Sequence, residues 1–299
     1  MSTDPIAALI EAHGLPDPYR TVVAQHWQPL ATAIARRAAD TTPLIVGING
    51  AQGSGKSTLC AFLEVLLAAR QLRAVTLSID DLYLGRADRA QLAEKVHPLF
   101  ATRGVPGTHA PGLGIAIVDA VLSGHDFDLP RFDKGTDERS DAAERISGPV
   151  DVLLLEGWCV GCRPQADEEL LEPVNDLEAR EDAEGIWRSV SNLWLRGDYA
   201  KLFGLIDMLV MLKVDSFETV IANRLKQEEK LRAARPDAPH LMDEAAIRRF
   251  CQHYERLTRH MLQDLPPRAD VVFELGPDQV PLNLPKTLSA GLASRDLPS

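Results

Sequence analysis

Residues 44–57 read LIVGINGAQGSGKS, an apolar, β-branched run that gives way to a glycine-rich turn closed by a lysine and a hydroxyl. The pattern G-x-x-x-x-G-K-[ST] occupies positions 50–57. Gly50, Gly53 and Gly55 let the backbone take positive φ and come close to a phosphate. With Ala51, Gln52 and Ser54 between them, successive N–H groups can turn inward as an anion-binding nest. Lys56 adds a point charge, and the Ser57 hydroxyl can ligate a Mg²⁺ that bridges the β- and γ-phosphates. Residues 58–70, TLCAFLEVLLAAR, have helical periodicity. A helix starting near Ser57, with Thr58 in its first turn, would aim its positive dipole end at the same anion. The full eight-residue pattern, set between a strand-like and a helix-like run, argues for a nucleotide site over a chance Gly/Ser turn.

Composition narrows the classes. The 299 residues are enough for one large α/β domain with insertions or for two small ones, and 45% hydrophobic with 25% charged residues is ordinary globular composition. A net charge of −11 offers no global field for nucleic acid or an anionic membrane. An anionic substrate would need a local basic cluster. No stretch approaches the roughly 18 apolar residues of a membrane span, and no basic start precedes an apolar run at the N-terminus, so the expectation is a cytoplasmic protein. Cys60, Cys159, Cys162 and Cys251 are too few for a disulfide framework and suit a reducing compartment.

Upstream of the glycine loop, Ile6, Leu9 and Ile10 are spaced for one short helix and Val22, Val23, Trp27, Leu30 and Ile34 for a second. Pro43 marks a boundary, and residues 44–48 form a continuous apolar run, as in a parallel strand buried on both faces. A second strand is expected over 74–79 (AVTLSI). Asp80 and Asp81 follow it, at the carboxyl edge where open α/β folds bind ligands. There Asp80 could instead cap a helix and Asp81 be merely solvated, but two carboxylates beside a phosphate loop favour function.

Residues 103–114 (RGVPGTHAPGLG) are rich in Gly and Pro. Further on, 129–139 (LPRFDKGTDER) gathers Arg131, Lys134 and Arg139. A charge cluster is usually a solvated face, yet in an acidic chain this one is the leading candidate for holding an anionic acceptor. Residues 152–157 (VLLLEG) read as a third buried strand ending in Glu156, the Walker B position of a phosphate-loop protein. Residues 174–203 are helical and carry Trp187 and Trp194, 207–214 make a fourth strand, and 217–234 a basic helix with Arg224, Lys226, Lys230 and Arg232. Pro236 and Pro239 break it, Asp243 caps a further helix, and 271–274 is a last short strand.

Two patterns are set aside. The WCVGC at 158–162 has thioredoxin-like spacing but follows an acidic strand end, and a zinc site would need two further ligands. The LSGHD at 122–126 shares only its first three residues with a transporter signature. No N-K-x-D guanine-reading sequence occurs.

The glycine loop, IDDLY, RGVPGTH, PRFDK, LEGW and RLKQEEKLR, in this order, make the chain resemble the plant-type D-glycerate 3-kinases, a branch of the phosphoribulokinase, uridine kinase and pantothenate kinase group of P-loop kinases. The likeness runs over about 44–262. It implies a three-layer α/β/α P-loop fold with a central, mainly parallel sheet, ATP and Mg²⁺ as donor pair, and a small anionic hydroxy acid, D-glycerate first, as acceptor. Lys56, Asp80 and Glu156 would be catalytic, with Asp80 as base toward the acceptor hydroxyl and Ser57, Asp80 and Glu156 around the metal. Tyr83 would shape the acceptor pocket, with Asp81, Arg103, His109, Arg131 and Lys134 as further substrate contacts. Arg224 and Lys230 would lie on a lid over the nucleotide. One position departs from the pattern: an acid commonly follows the histidine of RGxPGTH, and here Ala110 stands there. The expected organisation is a helical extension over 1–42, a kinase domain over 43–275 with its lid at about 216–240, and a loosely ordered tail over 276–299. Other hydroxy acceptors (a nucleoside, a pantothenate-like acid, a sugar phosphate) and a slow ATP-hydrolysing switch remain open on the residues alone.

Overall fold

The computed structural model describes residues 4–140, 142–234 and 242–293. Five strands form one parallel sheet: β1 (Leu44–Gly50), β2 (Ala74–Ser78), β3 (Val152–Gly157), β4 (Met208–Lys213) and β5 (Val271–Glu274). Their order is β2-β3-β1-β4-β5. The chain leaves β1 for one edge, returns to β3, then crosses to β4 on the other flank, so the carboxyl end of β1 lies where the strand order reverses. Such switch points open a crevice for ligands.

The unbroken apolar runs are explained by burial on both faces. Leu44, Val46 and Ile48 of β1, Val152 and Leu154 of β3, and Val210 and Leu212 of β4 point into one core. Their neighbours Ile45, Leu153, Leu155, Leu209 and Met211 point into the other. Helices cover each face, giving the expected three layers. Gly47 is required by packing: a Cβ there would lie 2.8 Å from Ile206.

The N-terminal helices, Pro5–Ala12 and Tyr19–Asp40 with a π-turn at Val23–Trp27, lie on the first face. Val22, Val23, Trp27, Leu30 and Ile34 are all buried, and Trp27 meets Phe273 of β5 edge-on at 5.2 Å. The span 174–203 is less continuous than its periodicity suggested. Helix Asp176–Glu181 stops at Asp182, a second helix, Ile186–Trp194, starts after Gly185, its N-cap at φ +74°, and a π-turn leads on to Ala200–Phe203. Asp243 caps Glu244–Asp264 by accepting from the Ala246 N–H, as its side chain predicted. In the C-terminal stretch Lys286–Ala293 is helical with Leu288 buried, while 294–299 and the Pro236/Pro239 break lie outside the described residues. Among the described residues no helix is long and apolar enough to cross a membrane.

Candidate active site

The glycine loop joins β1 to the helix Lys56–Ala68. Gly53 (φ +75°) and Gly55 (φ +87°) hold the left-handed conformations that reverse the chain and aim amides inward. Gly50 is fixed by space instead, since a Cβ would stand 2.4 Å from Ser54 Oγ. Lys56 Nζ donates to the Ala51 carbonyl at 3.2 Å, and Ser57 Oγ donates to Glu156 Oε1 at 3.0 Å. Glu156, at the end of β3, is buried at 5% exposure. Thr58 follows in the first helical turn, half-buried.

Among the described residues, three buried polar atoms around this loop have no partner: Gln52 Oε1, Ser54 Oγ and Asn223 Nδ2. Asn223 belongs to the helix Phe217–Ala234, which crosses the loop so closely that a Cβ on Gly53 would lie 3.0 Å from Gln227 Nε2 and 3.2 Å from Asn223 Cβ. Orphaned donors and acceptors beside a cradle of glycine amides are what a polyphosphate would satisfy. The Ser57–Glu156 pair suits Mg²⁺, which binds through one or two protein oxygens and takes the rest from phosphate and water. A self-sufficient protein cage is not required, and none of three or more acidic, His or Cys ligands exists among the described residues.

Across the carboxyl edge, β2 runs into a 3₁₀ turn, Ile79–Leu82, capped by the Ser78 side chain, which accepts from the Asp80 N–H. Asp80 and Asp81 then serve different partners. Asp80 Oδ2 accepts from Lys134 Nζ at 2.6 Å. Burial alone would raise its pKa, but Lys134, His109 and Lys56 together outweigh it and hold the carboxyl below its ordinary value. Asp81 accepts from the Phe132 N–H and from Arg131 Nη1, both at 3.1 Å, pinning the PRFDK loop to the strand end. Arg131 is also held by Glu144 at 2.7 Å, and Arg103 is paired with Asp137 and sits 5.7 Å over the Phe132 ring. Of the basic cluster foreseen as the acceptor grip, Arg131 and Lys134 are thus paired with carboxylates, while Arg103 shares Asp137 with Arg89. Arg139 donates to the Tyr83 carbonyl at 3.1 Å.

Tyr83 stacks on His109 with ring centroids 4.4 Å apart and meets the Phe132 edge at 5.2 Å. Burial, then the Asp80 charge, push the Tyr83 phenol well above its usual pKa. His109, 3% exposed, is pushed down to about 4 by burial, so its ring is neutral. Its Nδ1 lies 2.6 Å from the hydroxyl of Tyr199, which also accepts the Gly107 N–H at 3.1 Å.

Sequence reasoning missed several supports. Tyr199 was read only as part of a helical stretch. Asn49 donates to the Trp158 and Val160 carbonyls and so ties β1 to the turn after β3. Arg89, 2% exposed, bonds the Leu84 and Ala101 carbonyls and Asp137. Tyr254 donates to the Arg103 carbonyl at 3.0 Å. The only hint was a polar residue within an apolar pattern. On the lid candidate, Arg224 is engaged by Glu228 at 2.7 Å, and the side chain of Lys230 lies outside the described residues. Asn223 and Gln227 of this helix approach Gly53 of the glycine loop. Cys159 and Cys162 are buried, free thiols pushed up by burial, Cys162 to about 12, which leaves them inert.

No protein-family model matches the chain. It is 33% identical over 228 residues to a protein of Schizosaccharomyces pombe named uncharacterized kinase mug58, across 71% of this chain and 78% of that one. It is 32% identical over 175 residues to the chloroplastic D-glycerate 3-kinase of Arabidopsis thaliana, across 52% of this chain and 38% of the plant protein. Among solved structures, the D-glycerate 3-kinase of Cryptococcus neoformans has the same fold, with a TM-score of 0.72 at 24% identity over 86% of this chain and 97% of that one.

Proposed function

Because this chain belongs to the P-loop kinase family that contains mug58 of Schizosaccharomyces pombe, we propose that it transfers the γ-phosphoryl group of ATP to a hydroxyl of D-glycerate. The observation that carries the reading is the meeting, at one sheet edge, of two half-sites. One is the glycine loop with its orphaned polar atoms and the Ser57–Glu156 pair; the other is Asp80 beside Tyr83 and His109, with Phe132 against Tyr83. The likeness to the plant enzyme supports D-glycerate over other hydroxy acceptors.

In this proposal the loop amides and Lys56 cradle the phosphates and neutralise charge that grows on the transferring group. Mg²⁺, held by Ser57 and associated with Glu156, would add Lewis-acid neutralisation when bound. Asp80, ionised because its pKa is held low, accepts the proton of the attacking hydroxyl. Tyr83 and His109 wall the acceptor against water. Asp81, by fixing Arg131 and Phe132, sets the position of the loop that closes over it.

The test is ADP release by the pure chain with ATP and Mg²⁺ against D-glycerate, other hydroxy acids, nucleosides and sugar phosphates. Release that requires D-glycerate supports the proposal. Acceptor-independent release, or strict dependence on a nucleoside or sugar phosphate, overturns it. Lys56→Ala should abolish transfer.

A further inference from the structure

Of the three cations expected at the acceptor, Arg131 is met by two carboxylates, Asp81 and Glu144, and Lys134 by Asp80. Arg103 differs. Its carboxylate, Asp137, is also the carboxylate of Arg89, so two guanidiniums share one negative charge. Among the described residues neither arginine meets a second acidic side chain. The triad therefore carries one surplus positive charge, and its two arginines are placed very differently.

Arg89 belongs to the helix Arg86–Lys95, and its side chain is 3% exposed. Its Nε donates to the Leu84 carbonyl and its Nη1 to the Ala101 carbonyl, both at 3.1 Å. Its Nη2 donates to the Asp137 carboxylate at 2.6 Å and to the carbonyl of the same residue at 3.4 Å. Three segments of the chain are thereby tied to one planar fork, which a lysine could not reproduce. Asp137 precedes the return strand of the hairpin formed by residues 132–133 and 138–139, at φ +59°, a left-handed conformation that aspartate tolerates better than most residues. Burial alone would raise its pKa; the two guanidiniums outweigh burial, and the carboxyl is ionised. Arg103 is the open member of the triad, 29% exposed, with its guanidinium 5.7 Å over the Phe132 ring. Phe132 packs on Tyr83, whose phenol feels the charge of Asp80, so the open arginine lies on the acceptor side of the site.

A carboxylate that faces one cation cancels it, and one that faces two leaves a charge to spare. Because Arg89 is buried and bonded at all three nitrogens, the spare charge is presented at Arg103. We infer that Arg89 is a positioning residue for the acceptor: by neutralising Asp137 and fixing it in place, it leaves the charge of Arg103 free to hold the carboxylate of a small hydroxy acid. The contact at Arg103 rests on the kinase reading. What the triad adds is that this contact depends on Arg89, a residue buried away from the acceptor.

The test is calorimetric titration of the full-length chain with D-glycerate in the presence of ADP and Mg²⁺, set beside initial rates of ADP release and thermal melts. Arg89→Met should weaken D-glycerate binding by about tenfold or more, and raise the acceptor KM more than it lowers kcat, with the KM for ATP within about threefold of wild type. Arg89→Lys, which keeps the charge, should lose less. Asp137→Asn should bind D-glycerate at least as tightly as the wild type. Arg89→Met combined with Asp137→Asn should return to within about threefold of wild type, because no carboxylate is left to claim Arg103. An arginine that only braces the fold predicts the opposite signs, with Asp137→Asn weakening binding and the double variant no better than Arg89→Met; either result overturns the inference. Should Arg89→Met fail to melt cooperatively, Asp137→Asn decides alone: unweakened binding supports the inference and weakened binding overturns it. If binding follows the expected pattern but no ADP is released, the kinase reading fails and the inference stands. If D-glycerate drives ADP release while the double variant stays as impaired as Arg89→Met, the kinase reading stands and the inference fails. A wild-type chain that binds no D-glycerate overturns both.

Discussion

Asp80 and Asp81 are adjacent in sequence, and the structure assigns them different work, so substituting them separately tests the reasoning sharply. Asp80→Asn keeps the shape of the side chain and removes its ability to take a proton. Its one direct ion pair is with Lys134, whose side chain is 59% exposed against 28% for Asp80. A pair that open to water contributes little, so loss of stability should stay within about 1 kcal/mol. Catalysis should fall by about 10²- to 10⁴-fold, or roughly 3 to 5 kcal/mol of barrier, the usual worth of a positioned base. Asp81→Ala should do the reverse. It strips the partner from the Phe132 N–H and leaves Arg131 with Glu144 alone, at a site whose carboxylate is 14% exposed. An abandoned, largely buried donor costs about 1 to 3 kcal/mol, and the loosened PRFDK loop should raise the acceptor KM more than it lowers kcat. The assays are coupled ADP release under saturating ATP, nucleotide binding by calorimetry, and denaturant midpoints for each variant. Asp80→Asn with more than about a third of wild-type kcat would refute the base assignment, since general-base removal should cost at least about 10²-fold. Equal effects of the two substitutions on stability would refute the division of labour.

Three further outcomes are expected. Glu178, fully buried, takes both the Nε and Nη2 of Arg256 at 2.8 and 2.6 Å; Glu178→Ala should cost about 3 to 5 kcal/mol by stranding a buried guanidinium, while Glu178→Leu combined with Arg256→Met should recover much of it, as thermal melts will show. His109 has its folded pKa depressed to about 4, so between pH 6.5 and 4 the unfolded chain binds more protons and stability falls as pH is lowered through that window, by about 3 kcal/mol in all. Urea midpoints against pH should flatten in His109→Gln, and an unchanged slope there would count against a buried neutral ring. Cys159 and Cys162, with thiols pushed up by burial, should resist iodoacetamide at pH 7.5 in the native chain and react once it is denatured; native-state labelling would contradict their burial.

Much of the site was legible because its parts are local. The glycines, lysine and serine of the loop are contiguous, and each strand announced itself by an apolar run of its own. Asp80 and Glu156 could be placed at the sheet edge from the sequence because each follows or ends such a run. The acceptor side was read less well, for a reason visible in Arg131. From sequence it is one of three clustered cations in an acidic chain. Its pairing with Asp81, fifty residues away, and with Glu144, thirteen residues on, is a matter of distance in space. The same holds for the helix over the glycine loop, where the basic residues stood out in the sequence and the approach of Asn223 and Gln227 to Gly53 did not.

By itself, then, the sequence determined the phosphate loop, the five strands, the helical N-terminal segment and the two strand-end acids, all of them consequences of residue type and short-range periodicity. The tertiary structure alone decided the β2-β3-β1-β4-β5 order that brings those acids to one edge. It also decided which cations are paired with carboxylates and that Tyr199, ninety residues from His109, meets its ring at Nδ1. Periodicity specifies which face of an element is buried. The pairing of polar groups across those faces depends on the order in which the elements pack, and one residue's neighbours along the chain carry no record of it.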